Sequence, residues 1–327
     1  MRAVLCTAWG GPDDLTLGQA EPPAPGPDEV LIAVAAAGVN FADSLMIAGQ
    51  YQEKPPFPFS PGLEVAGEVQ AVGARVTRVK AGDRVLGLTD WGGYAEAAVA
   101  RESDVFAIPA GMDFVTAAGF PITYASAHGG LVWRGALQAG ETLLVHGAAG
   151  GVGLAAVEVG KALGARVIAT AGGPEKLAIA EAHGADDLID YKREDIRARV
   201  KALTDGRGAD VVFDPVGGDV FDASLRCIAW GGRLLVIGFA AGRVPQVPAN
   251  LLLVKNIAAI GVYWGSYRRH RPDMVAAQFA QLFAWFEAGK LRPHVSHDMD
   301  LAEAAEALKL LTGRRSTGKV VLTTGLA

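Results

Sequence analysis

"VHGAAGGVGLAAVEVGKALGARVIATAGGPEK" (145–176) decides the fold class of this chain. An apolar run, Leu143–Leu144–Val145, leads into a burst of glycine, and "LAAVEVGKALGA" after Gly153 has the composition of a helix. A second apolar run, "RVIAT", follows. Gly150 and Gly153 permit a sharp turn and a close backbone approach, and a helix starting there offers N–H donors and its positive dipole end to an anion. Strand, glycine turn, helix and second strand in this order predict a dinucleotide site on Ala149, Gly150, Gly151, Val152 and Gly153. Ala148 stands where the first glycine of such a turn usually falls, with Gly147 one place earlier.

The end of the second run selects among dinucleotides. An Asp or Glu there would accept hydrogen bonds from an adenosine ribose 2′-OH and repel a 2′-phosphate. This chain has Thr170, Ala171, Gly172 and Gly173, and no acid. The ammonium of Lys176 and the phenol of Tyr191 suit a 2′-phosphate, and Gly172 leaves room for it. The missing acid predicts NADPH. Lys176 keeps a second reading as a solvated helix lysine.

Outward from this stretch, strand-like runs alternate with helical patches from about Met112 onward: "DLIDY", "DVVFDPVG", "RLLVIGFA" and "IAAIGVYWG". That alternation predicts βαβ units and a doubly wound parallel sheet. The first hundred residues differ, with short strands such as "DEVLIAVAAAGVN" and "EVAGEVQAVGARV" among prolines and glycines, the pattern of an irregular antiparallel β unit. The final "GKVVLT" is a strand expected to rejoin that unit. The predicted class is α/β, with the β unit at 1–121 and 266–327 and the nucleotide unit at 122–265.

Bulk properties narrow the function. The 327 residues suffice for two domains, and half are hydrophobic with a fifth charged, as in a soluble globular protein. A net charge of −5 argues against nucleic acid or an anionic membrane surface as the main partner. No apolar run approaches the roughly 18 residues of a membrane span. Met1 leads directly into "AVL" without a basic and apolar leader, so no export signal is expected. Cys6 and Cys227 are too few for a disulfide framework or a four-cysteine zinc lobe, and a cytoplasmic location is expected.

"AAGGVG" with Lys176 and "DYKRED" resembles the quinone oxidoreductase (zeta-crystallin-like) branch of the medium-chain dehydrogenase/reductase superfamily. So do "GVNFAD" (38–43), "PGLEVAGEV" (61–69), "PITYASA" (121–127) and "GKVVL" (318–322), in order over nearly the whole chain. The resemblance implies a GroES-like β catalytic domain interrupted by a Rossmann NADPH-binding domain, a cleft between them, and a homodimer joined through "IAAIGVYW". It also implies Thr123 near the nicotinamide.

Zinc alcohol dehydrogenases of this superfamily bind catalytic zinc through a cysteine and a histidine at the positions of Asn40 and Leu63. Leucine has no donor, and an amide is a poor zinc ligand beside thiolate or imidazole. No metal is therefore expected, and the chemistry reduces to hydride transfer onto an electron-poor acceptor, a quinone or an activated C=C bond of an α,β-unsaturated carbonyl. Asn40 and Tyr51 are the candidate donors to the acceptor, with Asp43 orienting them. Asn40 has a second reading as a turn cap and Asp43 as a loop brace. Loops after the parallel strands place Gly217, Phe239 and Tyr263 as candidate cofactor neighbours. Lys319 is expected either to reach the cofactor from the last strand or to be a surface lysine. "RRHR" (Arg268–Arg271) is a solvated loop or a seat for the phosphates of an acyl-CoA. The latter would make the enzyme an enoyl-CoA or acryloyl-CoA type reductase. A cofactor-holding protein with little turnover is the alternative from outside the enzymes.

Overall fold

The computed structural model describes residues 1–326 in two compact units, one made of Met1–Ile122 with the chain from Pro293 onward, the other of Thr123–Arg292. In chain order the first unit opens with a two-stranded ribbon, β1 (Arg2–Leu5) and β2 (Thr16–Gln19), then β3 (Glu29–Val39) and the short α1 (Phe41–Ile47). There follow β4 (Glu64–Val72), β5 (Arg84–Leu88), β6 (Ala97–Arg101), β7 (Val105–Ala107) and α2 (Phe114–Ala118). The second unit begins within α3 (Pro121–His128), which runs into a π-helical turn at Gly129–Arg134. It continues as β8 (Thr142–Val145), α4 (Gly151–Ala162), β9 (Arg166–Ala171), α5 (Pro174–Ala182), β10 (Asp187–Asp190), α6 (Ile196–Leu203) and β11 (Ala209–Asp214). After these come α7 (Gly218–Cys227), β12 (Ile228–Val236), α8 (Ala249–Lys255), β13 (Ala258–Gly261), α9 (Tyr267–His270) and α10 (Pro272–Glu287). The chain then returns to the first unit as β14 (Val295–Asp300), α11 (Ala304–Thr312) and β15 (Lys319–Thr323).

Strand β3 organises the first unit. Its first half alternates, with Val30, Ile32 and Val34 buried, while Ala35–Val39 is buried throughout. The change follows its neighbours: β4 covers one edge, and the other edge is shared by β6 at Glu29–Ala33 and by β15 at Ala36–Val39. Strand β15 runs antiparallel to β3, so the last strand does rejoin the N-terminal β unit.

The second unit is a six-stranded parallel sheet in the order β10-β9-β8-β11-β12-β13. This is the doubly wound order in which two mononucleotide halves meet between β8 and β11, and a ligand crevice opens outside the carboxyl ends of those strands. Leu143–Val145, Val167–Ala169 and Val211–Phe213 are fully enclosed because helices cover both faces, which explains their unbroken apolar character.

Residues 266–292 belong to the second unit, whereas the sequence reading places them in the β unit. Polar contacts make the difference. Gln278 of α10, buried, donates to Ala125 O at 2.8 Å and accepts from Trp264 Nε1 at 2.9 Å, while Gln281 meets His128 Nε2 at 2.6 Å. These bonds fasten α10 to α3.

Candidate functional site

The glycine turn after β8 is held from beneath. His146, wholly buried, spans Thr170 Oγ1 (3.0 Å) and Ser224 Oγ (2.7 Å), and burial pushes its pKa down to about 4, so the ring is neutral. Gly147 takes the left-handed conformation (φ 58°) that Ala148 would resist, so the turn has moved one residue earlier than the usual pattern. Gly150 precedes α4 in extended conformation. A Cβ on Gly153 would lie 2.2 Å from Gly147 O, so only glycine lets α4 pack onto the turn. The first-turn N–H groups of α4 at Gly151, Val152 and Gly153 have no partner within an α-helix and make an anion seat. Ala149 is buried at its edge.

Strand β9 ends at Ala171, and Thr170 is buried. A Cβ on Gly172 would lie 2.7 Å from Tyr191 Oη and 3.0 Å from Lys192 Cε, so the side chains following β10 lean onto the backbone of Gly172. Asp190, the nearest acid on β10, is turned inward: Oδ1 accepts from Gly173 N (3.2 Å) and Lys192 N (3.0 Å). Lys176 is half-buried in the first turn of α5, and Tyr191 is exposed. Gly172, Tyr191 and Lys192 are thus brought together. Lys192 escaped the sequence analysis although "DYKRED" contains it, because a lysine beside a strand end looks like any solvated lysine.

Two further loops meet at the carboxyl edge. Asp214 Oδ1 accepts from Val216 N (2.8 Å) and Gly217 N (2.9 Å), and Gly218 N donates to Arg243 O (3.1 Å). Phe239, partly exposed, has its ring edge 3.1 Å from where a Cβ on Gly217 would sit. Tyr263 is exposed and Thr123 buried. The "RRHR" segment forms α9 and its end, with Arg271 bidentate on Asp273.

In the first unit, Lys319 lies neither at the surface nor unengaged. It is 6% exposed, and its Nζ donates to Val39 O (2.8 Å), Asn40 Oδ1 (2.8 Å) and Glu64 Oε1 (2.7 Å). Asn40 Nδ2 donates to Glu64 Oε1 (2.9 Å) and Gly38 O (3.3 Å), and Glu64 Oε2 accepts from Ile122 N (2.7 Å). Asp43 Oδ2 accepts from Asn40 N (2.7 Å) and Tyr94 Oη (2.7 Å). Its full burial pushes its pKa up to about 7 against the opposing pull of those two donors and of Lys319. Leu63 is buried, and Tyr51 packs half-buried against the core around α1. Beside it Trp9, Phe57 and Phe59 form an aromatic cluster, with Trp9 and Phe57 4.5 Å apart edge to face and both partly exposed. No sequence motif marks that cluster.

Residues 26–110 match the model of the alcohol dehydrogenase GroES-like domain and residues 151–284 that of the zinc-binding dehydrogenases. The chain is 44% identical over 330 residues to the quinone oxidoreductase-like protein 2 homolog of Nematostella vectensis, covering 99% of this chain and 89% of that one. It is 41% identical over 323 residues to a quinone oxidoreductase of Pseudomonas aeruginosa, covering 98% and 99%. Its structure is similar to that of the Escherichia coli quinone oxidoreductase complexed with NADPH, with a TM-score of 0.92 at 29% identity, over 99% of this chain and all of that one.

Proposed function

Because the chain belongs to the quinone oxidoreductase branch of the medium-chain dehydrogenase/reductase superfamily, we propose that it is a zinc-independent reductase that passes hydride from NADPH to a quinone or another electron-poor unsaturated carbonyl. The observation that carries the cofactor choice is the acid-free end of β9, where Gly172 lies beneath Tyr191 and Lys192. The Escherichia coli relative, complexed with NADPH, supports the same choice.

Bound NADPH supplies a hydride at its nicotinamide ring. The chain's residues do the rest. The α4 N-terminus at Gly150–Gly153, with Ala149 at its edge, receives the pyrophosphate. Lys176 and Tyr191 contact the 2′-phosphate, and Gly217, Phe239, Tyr263 and Thr123 line the nicotinamide end. The inward-turned Asp190 keeps its charge on backbone N–H groups. Tyr51 faces the acceptor, where its ring stacks on a flat molecule and its phenol steadies the developing oxyanion. Asn40 is committed to Glu64, Gly38 and Lys319 and acts as a fixed wall, while Asp43 braces it through the backbone. Zinc-independence is supported by the donor set, since Leu63 offers no ligand atom and the Asn40 amide is already engaged. The two free, buried cysteines suit a reducing cytoplasm. We extend the proposal to a homodimer through the edge strand β13.

The test follows NADPH oxidation, with NADH as control, against ortho- and para-quinones, enones and enoyl-CoA thioesters. Turnover with quinones or enones and a preference for NADPH is expected. A preference for NADH, or for the CoA thioesters alone, overturns the reading, and binding without turnover on every acceptor makes the chain a cofactor-holding protein.

A further inference from the structure

An ammonium has three hydrogens to donate, and the three of Lys319 are spent on Val39 O, Asn40 Oδ1 and Glu64 Oε1. A contact with a cofactor phosphate or ribose would break one of these bonds and leave a buried acceptor unmatched. The backbone has been shaped around the arrangement. A Cβ on Gly38 would fall 2.4 Å from Glu64 Oε1 and 2.3 Å from Ala118 O, and one on Gly119 would fall 3.2 Å from Lys319 Cβ. Four stretches distant in sequence converge here: the end of β3, the start of β4, the first turn of α3 and the first residue of β15. The bonds to Val39 and Asn40 grip the turn where β3 becomes α1. Only four residues after the end of α1 comes Tyr51, with Gln50 N bonded back to Leu45 O (2.8 Å).

We infer that Lys319 is a positioning residue rather than a cofactor contact: its ammonium is a fixed internal cation that, through Asn40 and Glu64, holds α1 and the Tyr51 segment in place for the acceptor. The inference rests on the proposal that Tyr51 faces the acceptor. A buried lysine and glutamate that bind each other and two backbone groups contribute little net stability, yet removing one partner alone is costly, so the geometry they impose is their main product.

The experiment compares wild type with Lys319→Met and with Lys319→Met/Glu64→Gln, in which neither member of the ion pair is left without the other. NADPH affinity is read by titration of its fluorescence, quinone reduction by steady-state kinetics, and backbone order by amide exchange. The expected result is a loss of about tenfold or more in kcat/KM for the quinone, as small displacements near reacting groups produce. NADPH affinity should stay within about twofold. Exchange should quicken over α1 and as far as Tyr51 while β4 stays protected. A rise of about tenfold in the NADPH dissociation constant with an unchanged quinone KM would place Lys319 on the cofactor and overturn the inference. So would a lowered melting temperature with both constants and the exchange pattern intact. If Lys319→Met alone does not fold, the double variant decides by the same criteria. Absence of quinone turnover in the wild type defeats the proposed function, while NADPH affinity and α1 exchange still decide the place of Lys319.

Discussion

Gly153 and Gly147 touch backbone to backbone: a Cβ at 153 would come within 2.2 Å of Gly147 O. Neither partner is a side chain that could swing aside, so the cofactor turn cannot accept even a methyl group at this place. Gly153→Ala should destabilise the second unit by roughly 1–3 kcal/mol, the usual cost of overpacking, and weaken NADPH binding further by displacing the α4 N-terminus. Thermal unfolding with and without NADPH checks this; an unchanged melting temperature counts against it.

The wall above Gly172 gives a prediction on cofactor choice. Lys176→Ala and Lys192→Ala should each raise the KM for NADPH roughly tenfold, the value of a charge-assisted hydrogen bond. The KM for NADH should barely move. Equal effects on both cofactors would take the lysine off the 2′-phosphate. Gly172→Asp, which adds a negative charge beneath Tyr191, should invert the preference toward NADH.

Asp43 predicts a pH dependence of stability. Its carboxyl titrates at about 7 in the folded protein against 3.8 as the ordinary value, so the folded state holds a proton that the unfolded state has lost between those limits. Stability from this group is therefore full below about pH 4, declines as pH rises toward 7, and is gone above it, by up to about 4 kcal/mol in all. Asp43→Asn, which still accepts from Asn40 N, should flatten the fall in denaturant midpoint between about pH 4 and 7, the window set by those same two values. A variant with the wild-type slope would exclude Asp43 as its source.

Glu158 lies buried in the middle of α4, where it accepts from Tyr124 Oη (2.6 Å), Arg292 N (2.9 Å) and, on its other oxygen, meets His183 Nδ1 (2.5 Å). Glu158→Ala takes the shared carboxylate away from all three groups and should cost roughly 3–5 kcal/mol; Tyr124→Phe should cost about 1 kcal/mol. Amide exchange of Arg292 should be slow in the wild type, where Glu158 accepts from it, and fast in Glu158→Ala. Continued protection of Arg292 would mean that other contacts hold that stretch.

For the proposed dimer, Trp230 on β12 and Leu253 and Val254 on α8 are 75%, 77% and 67% exposed, large apolar side chains on elements of the unit whose sheet ends at the edge strand β13. Leu253→Glu with Val254→Glu should lower the sedimenting mass from dimer to monomer. A wild type that sediments as a monomer refutes the assembly itself.

Legibility followed the physics of each feature. The glycine turn, the parallel strands and the returning β15 announce themselves because each needs a particular run of residue types. The acid-free end of β9 was visible for the same reason. Placement of α10 was not, because it hangs on Gln278 and Gln281, two amides whose value lies wholly in what they meet. Lys319, Glu64 and Asn40 stand 279 and 255 residues apart across their bonds, so neither the pairing nor the burial of the lysine shows in local pattern. Lys192 needed the missing Cβ of Gly172 to become meaningful.

Tyr124 stands at the start of the second unit and Arg292 at its end, and both bond the same oxygen of Glu158. An inserted segment whose two ends meet on one carboxylate behaves as a cassette. Residues 123–292 can be excised with their ends already adjacent, so a linker of a few residues would close them into a free-standing nucleotide-binding module or a circular permutant.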